Sequence, residues 1–221
     1  LPAKEVARIS TEAHKQDMKV WAHATIFPAL PLDAIEAGVD VLSHADLIAR
    51  QQGRPKNPTT NRKFVLDQAI LKQVLDKMVE KNVILDATLF AFANSARSFD
   101  VANQVVTAAH KAGVQISAGT DGGVNITTNP FPPLHEEMRL LVKTGLSPLE
   151  AITSATLISA KTIGIEKTHG TIAVGKTANF VVFDKDPSKN LDNLKTIYLT
   201  IKNGQIYRRK NFAKTMVHRG N

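Results

Sequence analysis

The sequence has no cysteine in its 221 residues. Disulfides and thiolate metal centres are therefore excluded within it, and any metal must be held by His, Asp, Glu or a modified Lys. This absence fits cytoplasm and periplasm equally well. Aromatic residues are scarce at 5%, which argues against a single-stranded nucleic-acid surface built on stacking platforms. No apolar run approaches the ~20 residues of a membrane-spanning helix, and no signal peptide is visible. No His-x-His pair occurs anywhere. Position 1 is Leu, inside a helical pattern, so the natural start is expected upstream, together with any targeting segment.

What is there is an ordinary globular mixture, 43% hydrophobic and 22% charged. That supports a packed core and argues against wholesale disorder. The length suits one large domain, or one domain plus a small one. The net charge of +8 has two readings: a basic surface that draws anions, or a solvated surface with surplus lysine. The basic residues are spread along the chain, and the densest group, Arg208, Arg209 and Lys210, lies near the end. The second reading is preferred, and neither nucleic acid nor membrane is expected as a partner.

Along the first half, helical and apolar segments alternate. Glu5 to Gln16 has helical period, with Val6, Ile9 and Ala13 on one face. Met18 to His23 reads as a buried strand, and Pro31 to Ala37 as a short helix stopped by Gly38. Val39 to His44 is a second strand. Gln51 to Arg62 is a loop, rich in Gly, Pro and basic residues. Phe64 to Lys81 is a helix, Val83 to Leu89 a third strand, Asp100 to Lys111 a helix closed by Gly113, and Val114 to Ala118 a fourth strand. This alternation predicts parallel strands joined by crossover helices. Pro133 to Lys143 is a further helix ended by Gly145. Ser147-Pro148-Leu149-Glu150 predicts the next helix, with Ser147 and Glu150 forming a capping box around a proline at the first helical position. After Gly164 the period changes. Gly170 to Gly175 is strand-like, Ala178 to Asp184 a buried strand, and Asn203-Gly204 a hairpin turn between two more.

Three polar residues directly follow apolar strands: His23, His44 and Asp121. Taken singly, each has a plain structural reading: a hydrogen-bonded core imidazole, or in Gly119-Thr-Asp121-Gly-Gly a turn or cap residue. Together they stand where a parallel α/β barrel keeps its active site. Imidazole and carboxylate are also the natural ligands of Zn²⁺ and similar ions.

In detail, Val20-Trp-Ala-His23-Ala and Ala34-Ile-Glu-Ala-Gly38-Val-Asp-Val-Leu-Ser-His44 resemble the fifth and sixth barrel strands of the amidohydrolase superfamily. Ser117-Ala-Gly-Thr-Asp121 resembles its eighth strand. Pro148 to Thr156, with Ala160, resembles the helix after the barrel, and Gly170 to Asp184 the C-terminal β segment. The pattern is most similar to imidazolonepropionase-like and Xaa-Pro dipeptidase (prolidase)-like members. The resemblance implies a (β/α)8 barrel of which this chain holds the C-terminal half, residues 1–165, followed by a small β element, residues 166–221. It also implies a hydrolase of amide or cyclic amide C–N bonds, with a small-molecule or dipeptide substrate and one or two divalent ions, expected to be Zn. By the same resemblance, His23, His44 and Asp121 are metal ligands, and Asp121 also takes the proton of the attacking water. A divalent ion lowers the pKa of bound water toward ~7 and polarises the carbonyl, while a carboxylate in reach moves the proton to the leaving nitrogen. His135 sits where relatives carry a His before a Glu. It is either a substrate-side residue or a solvent-facing one in the first turn of a helix. His14, His110, His169 and His218 read as ordinary surface or loop residues. Arg54, Lys56 and Arg62 are candidates for holding a substrate carboxylate.

The family's first-strand His-x-His and its fourth-strand Lys or Glu find no match here. A whole barrel takes roughly 250 residues. This chain is therefore expected to be one piece of a split enzyme, or part of a longer one, and to need the N-terminal barrel half as partner. A homo-oligomer stays open. The competing expectation is a truncated, non-catalytic fragment serving as a binding or interaction module.

Overall fold

Four short parallel strands carry the first half of the chain: β1 (Trp21–His23), β2 (Val41–Ser43), β3 (Ile84–Asp86) and β4 (Ile116–Ser117), side by side in that order. The structure is a computed structural model and describes residues 1–53, 65–93, 95–122 and 133–208. The loop residues Arg54, Lys56 and Arg62, and also Arg209, Lys210 and His218, lie outside the described residues. The strands are joined as expected by helical crossovers. These contain α2 (Pro31–Glu36), then α3 (Ala45–Ile48) and α4 (Gln68–Lys81), then α5 (Leu89–Phe92) and α6 (Ala96–Ala112), while α1 (Ala3–Lys15) precedes β1. The sheet is open rather than closed into a barrel. Register aligns His23 with Ser43, Ser43 with Asp86, and Asp86 with Ser117.

The core lies between the sheet and these helices. Val41, Leu42 and Leu85 of the central strands, Val74 and Met78 of α4, and Val105 and Val106 of α6 are all fully buried. Each such side chain contributes roughly 1.5–3 kcal/mol relative to exposure. Local chemistry sets the helix ends. The Asp67 carboxylate accepts from the N–H groups of Ala69 and Ile70, both at 3.0 Å, so α4 starts at Gln68 and not at Phe64. Gly113, with φ +84°, closes α6, which begins at Ala96 rather than Asp100.

Two expectations about the first half are corrected. On α1, Val6 and Ser10 are buried while Ile9 is 48% exposed. Ser10 is the residue that meets Gly38 at the end of α2: a Cβ there would lie 3.4 Å from its own Cβ. The strand before His23 is not buried, since Trp21 is 45% exposed. Among the described residues it is the edge of the sheet, with β2 as its one neighbour.

After α7 (Pro133–Lys143) a single helical run crosses residues 148–162. It consists of α8 (Pro148–Thr153), one π turn (Ser154–Ile158) and α9 (Ser159–Thr162). The expected capping box is present. Ser147 Oγ accepts from the Glu150 N–H at 3.2 Å, and Glu150 Oε2 accepts from the Ser147 N–H at 2.7 Å. The wider π turn leaves the Ser154 carbonyl to accept the Ala118 N–H at 3.3 Å. This bond joins the helix to the chain leaving β4, just ahead of Asp121.

The second sheet is antiparallel, with β5 (Phe180–Phe183), β6 (Ile197–Lys202) and β7 (Gln205–Arg208) in order. β6 and β7 meet at the expected turn, where Asn203 and Gly204 have φ +51° and +78°. The strand expected over Gly170 to Gly175 does not form, and Ile172 is 84% exposed. Gly170 instead marks a close approach: a Cβ there would stand 2.8 Å from Ala160 Cβ and 2.9 Å from Leu157 Cα. β5 is half-exposed rather than buried, because the antiparallel sheet leaves much of its surface to solvent. No helix among the described residues is long and apolar enough to cross a membrane.

Replacing Ser147 with Ala removes one half of the capping box. Urea denaturation is expected to show a loss of about 1 kcal/mol, with the parallel sheet retained.

Candidate functional site

The row of residues in register at the strand ends sets the floor of the site. Ser43 Oγ donates to Asp86 Oδ2 at 2.8 Å, and Ser117 Oγ donates to Asp86 Oδ1 at 2.9 Å. The Trp21 indole N–H donates to Ser43 Oγ, and the Gly119 N–H also bonds the Asp86 carboxylate. One buried acid thus joins residues from all four strands. Burial pushes its pKa up, the three donors oppose that, and the nearby charge of Asp121 adds to the rise. Gly119 is required here: a Cβ would stand 1.9 Å from Asp86 Oδ1.

His23 ends β1 in this row and is exposed. His44 follows Ser43 and leaves the strand with φ +73° and ψ +95°, an uncommon region for a residue with a side chain. It is held there by its own N–H to the Asp86 carbonyl at 3.1 Å and by the next N–H, of Ala45, to the Ala87 carbonyl at 3.3 Å. The two imidazoles meet edge to face with centroids 4.6 Å apart. His44 Nδ1 lies 2.9 Å from Thr88 Oγ1, and its ring also stands edge-on to Phe92 at 5.8 Å. Burial lowers the His44 pKa, the positive charge of His23 lowers it further, and Asp121 opposes both. A lowered pKa favours the neutral form of His44, whose lone pair can be donated. Asp121 lies beyond β4, exposed, with φ +44°.

The strand ends therefore bring His23 and His44 into contact, with Asp121 close enough for its charge to act on His44 and Asp86. Among the described residues, no three His, Asp or Glu side chains are placed to hold a metal ion together, His23, His44 and Asp121 included. Two adjoining imidazoles, one held neutral, are nonetheless a chemically suitable partial donor set for Zn²⁺. His135, in α7, is half-buried, and burial alone lowers its pKa. No charged group of the strand-end site contributes to that shift. His14 pairs with Asp40 and His110 with Glu150, each as a surface contact.

Two buried acids were not singled out from the sequence. Asp86 is a charged residue inside an apolar run, and Glu137 lies one turn from Leu141 on the apolar stripe of α7. An acid in either place is a signal, because Asp and Glu are almost never fully buried without partners. Glu137 is 0% exposed and accepts from the N–H groups of Leu89 at 3.0 Å and Phe90 at 2.6 Å. Burial pushes its pKa up to about 8 despite these bonds.

The profile of the Amidohydrolase family matches residues 1–207, and the chain belongs to that family. Over 74 residues it is 38% identical to the imidazolonepropionase of Klebsiella pneumoniae (strain 342), covering 33% of this chain and 18% of that protein. Its fold is similar to that of a Xaa-Pro dipeptidase with bound methionine in the active site, with TM-score 0.72 and 22% identity over 94% of this chain and 49% of the other. It is also similar to A. niger ochratoxinase, with TM-score 0.71 and 23% identity, covering 94% and 46%. The chain spans about half the length of these solved structures.

Two outcomes follow from the buried acids. Gly119→Ala forces Asp86 out of its hydrogen bonds and is expected to cost roughly 3 kcal/mol in urea denaturation. The Glu137 carboxyl titrates near 4.5 when unfolded and near 8 when folded. Between those values the folded chain keeps a proton that the unfolded chain has released. Stability from this group is thus full below pH 4.5, falls as pH rises toward 8, and levels off above it. Denaturation at a series of pH values should show this fall, with a slope of at most about 1.4 kcal/mol per pH unit. Glu137→Gln should remove that component, leaving the contributions of Asp86 and Asp46, whose pKa values burial also raises.

Proposed function

We propose that this chain supplies half of the active site of a metal-dependent hydrolase that cleaves an amide or cyclic amide C–N bond, with a small molecule or dipeptide as substrate. The observation that carries the reading is the pair of touching imidazoles, His23 and His44, at the ends of neighbouring parallel strands, with His44 held neutral. Membership of the amidohydrolase family supports hydrolysis, and the imidazolonepropionase match and the prolidase-type fold support C–N chemistry.

His23, His44 and Asp121 are the residues that would hold one or two divalent ions, Zn²⁺ being the best match to this donor set. When bound, such an ion polarises a carbonyl and makes water more acidic. The chain's own part is then to place and move a proton. Asp121 takes it from the attacking water and delivers it to the departing nitrogen. His44, held neutral, offers a lone pair at the reacting face, and His135 at the head of α7 contacts the substrate. In this reading residues 1–165 are barrel, residues 166–221 belong to a separate small β domain, and the remaining donors come from the N-terminal half of the barrel.

In the full-length protein, His23→Ala and Asp121→Asn are each expected to lower kcat/KM for a dipeptide or cyclic amide at least ~100-fold. His23→Ala should also lower the zinc content measured by elemental analysis. Unchanged turnover and unchanged zinc in both variants would leave the non-catalytic, interaction-module reading in its place.

A further inference from the structure

The chemistry above makes no use of Glu137, although burying an acid is costly unless its partners are essential. Both of its oxygens are committed to the N–H groups of Leu89 and Phe90. These two residues directly follow Thr88, which is 2% exposed and sits at φ +51° and ψ +38°. That left-handed conformation is unfavourable for a β-branched residue, and it persists only where the surroundings over-determine it. The Leu89 N–H belongs to the same peptide plane as the Thr88 carbonyl, so gripping it fixes ψ of Thr88. The Thr88 hydroxyl is then 2.9 Å from His44 Nδ1. Phe92, which stands edge-on to the His44 ring, ends the same short helix. Both contacts to His44 therefore come from the one segment that Glu137 holds.

We propose that Glu137 is a positioning residue: it locks the Thr88–Phe92 segment from below and, through the Thr88 hydroxyl, sets the ring orientation and tautomer of His44. We assign Thr88 Oγ1 the accepting role; His44 then carries its proton on Nδ1 and keeps the Nε2 lone pair free, the state needed for a ligating imidazole. The functional value of this rests on the role given to His44 above, whereas the positioning itself does not.

Imidazole ¹⁵N NMR of the full-length protein reads His44 directly, with His44→Gln used to assign its signals. Wild type should show one tautomer, protonated at Nδ1. Thr88→Val should give a mixture, and Thr88→Ser should restore the wild-type pattern. Glu137→Gln puts an amide NH₂ against one of the two backbone donors. It should move the His44 signals in the same direction as Thr88→Val, without touching the ring. Zn²⁺ affinity should fall ~10-fold or more in Thr88→Val and Glu137→Gln and stay unchanged in Thr88→Ser. Wild-type His44 signals in a folded Glu137→Gln protein, or in Thr88→Val, would overturn the proposal. If Glu137→Gln does not fold, Glu137→Asp keeps both acceptors one methylene shorter, and unchanged His44 signals there would overturn it equally. A single locked tautomer in a wild-type protein that binds no Zn²⁺ would instead refute the metal reading and leave the positioning role standing.

Discussion

The carboxylate of Asp86 constrains the whole strand-end region. An ionised acid removed from water costs several kcal/mol unless donors surround it. Here the donors come from Ser43, Ser117 and Gly119, on either side of its own strand. That requirement dictates register. A slip by one residue would turn each serine to the other face of the sheet and leave the acid unpaired. It also dictates that residue 119 carry no side chain. The chain leaving β4 can then pass directly over Asp86, which brings Asp121 to the same end as the two histidines.

Glu137 repeats the device one layer out. Asp86 binds side-chain hydroxyls and a single amide and organises strand ends. Glu137 binds two backbone amides and organises the loop after β3. Two unusual backbone conformations lie beside them, those of His44 and Thr88. His44 has its N–H on the carbonyl of Asp86, and Thr88 is fixed by the amides that follow it. Strain of this kind needs rigid support: main-chain bonds to the Asp86 and Ala87 carbonyls supply it at His44, and the Glu137 carboxylate supplies it after Thr88.

Much of this was legible in the sequence, for reasons visible at particular residues. His23 and His44 stood out because each is a polar residue directly after an apolar run, and the alternation of strands and helices oriented those runs in parallel. Ser147 to Glu150 declared a capping box because its partners are three residues apart. Other features depend on contacts distant in sequence. Asp86 meets Ser43 and Ser117 across 43 and 31 residues, and Glu137 meets Leu89 across 48. Neither spacing leaves a local pattern. Gly170 and Gly175 were read as strand boundaries because glycine's two uses, turning and close approach, look alike on paper. Only the proximity of Ala160 and Leu157 separates them.

The exposed side of the parallel sheet follows from the same geometry. Trp21 and His23 project to the face that carries Ser43, Asp86 and Ser117, and both are exposed where the other three are not. The polar row is buried where Asp86 gathers it: Ser43 and Ser117 both donate to its carboxylate. His23, at the β1 end of the row, is open to solvent while the adjoining His44 is half-buried. The two imidazoles therefore differ although they touch: His23 is exposed, whereas His44 is half-buried and bonded to Thr88. The fixed member of the pair is His44, bonded to Thr88 at the start of the segment whose amides Glu137 holds.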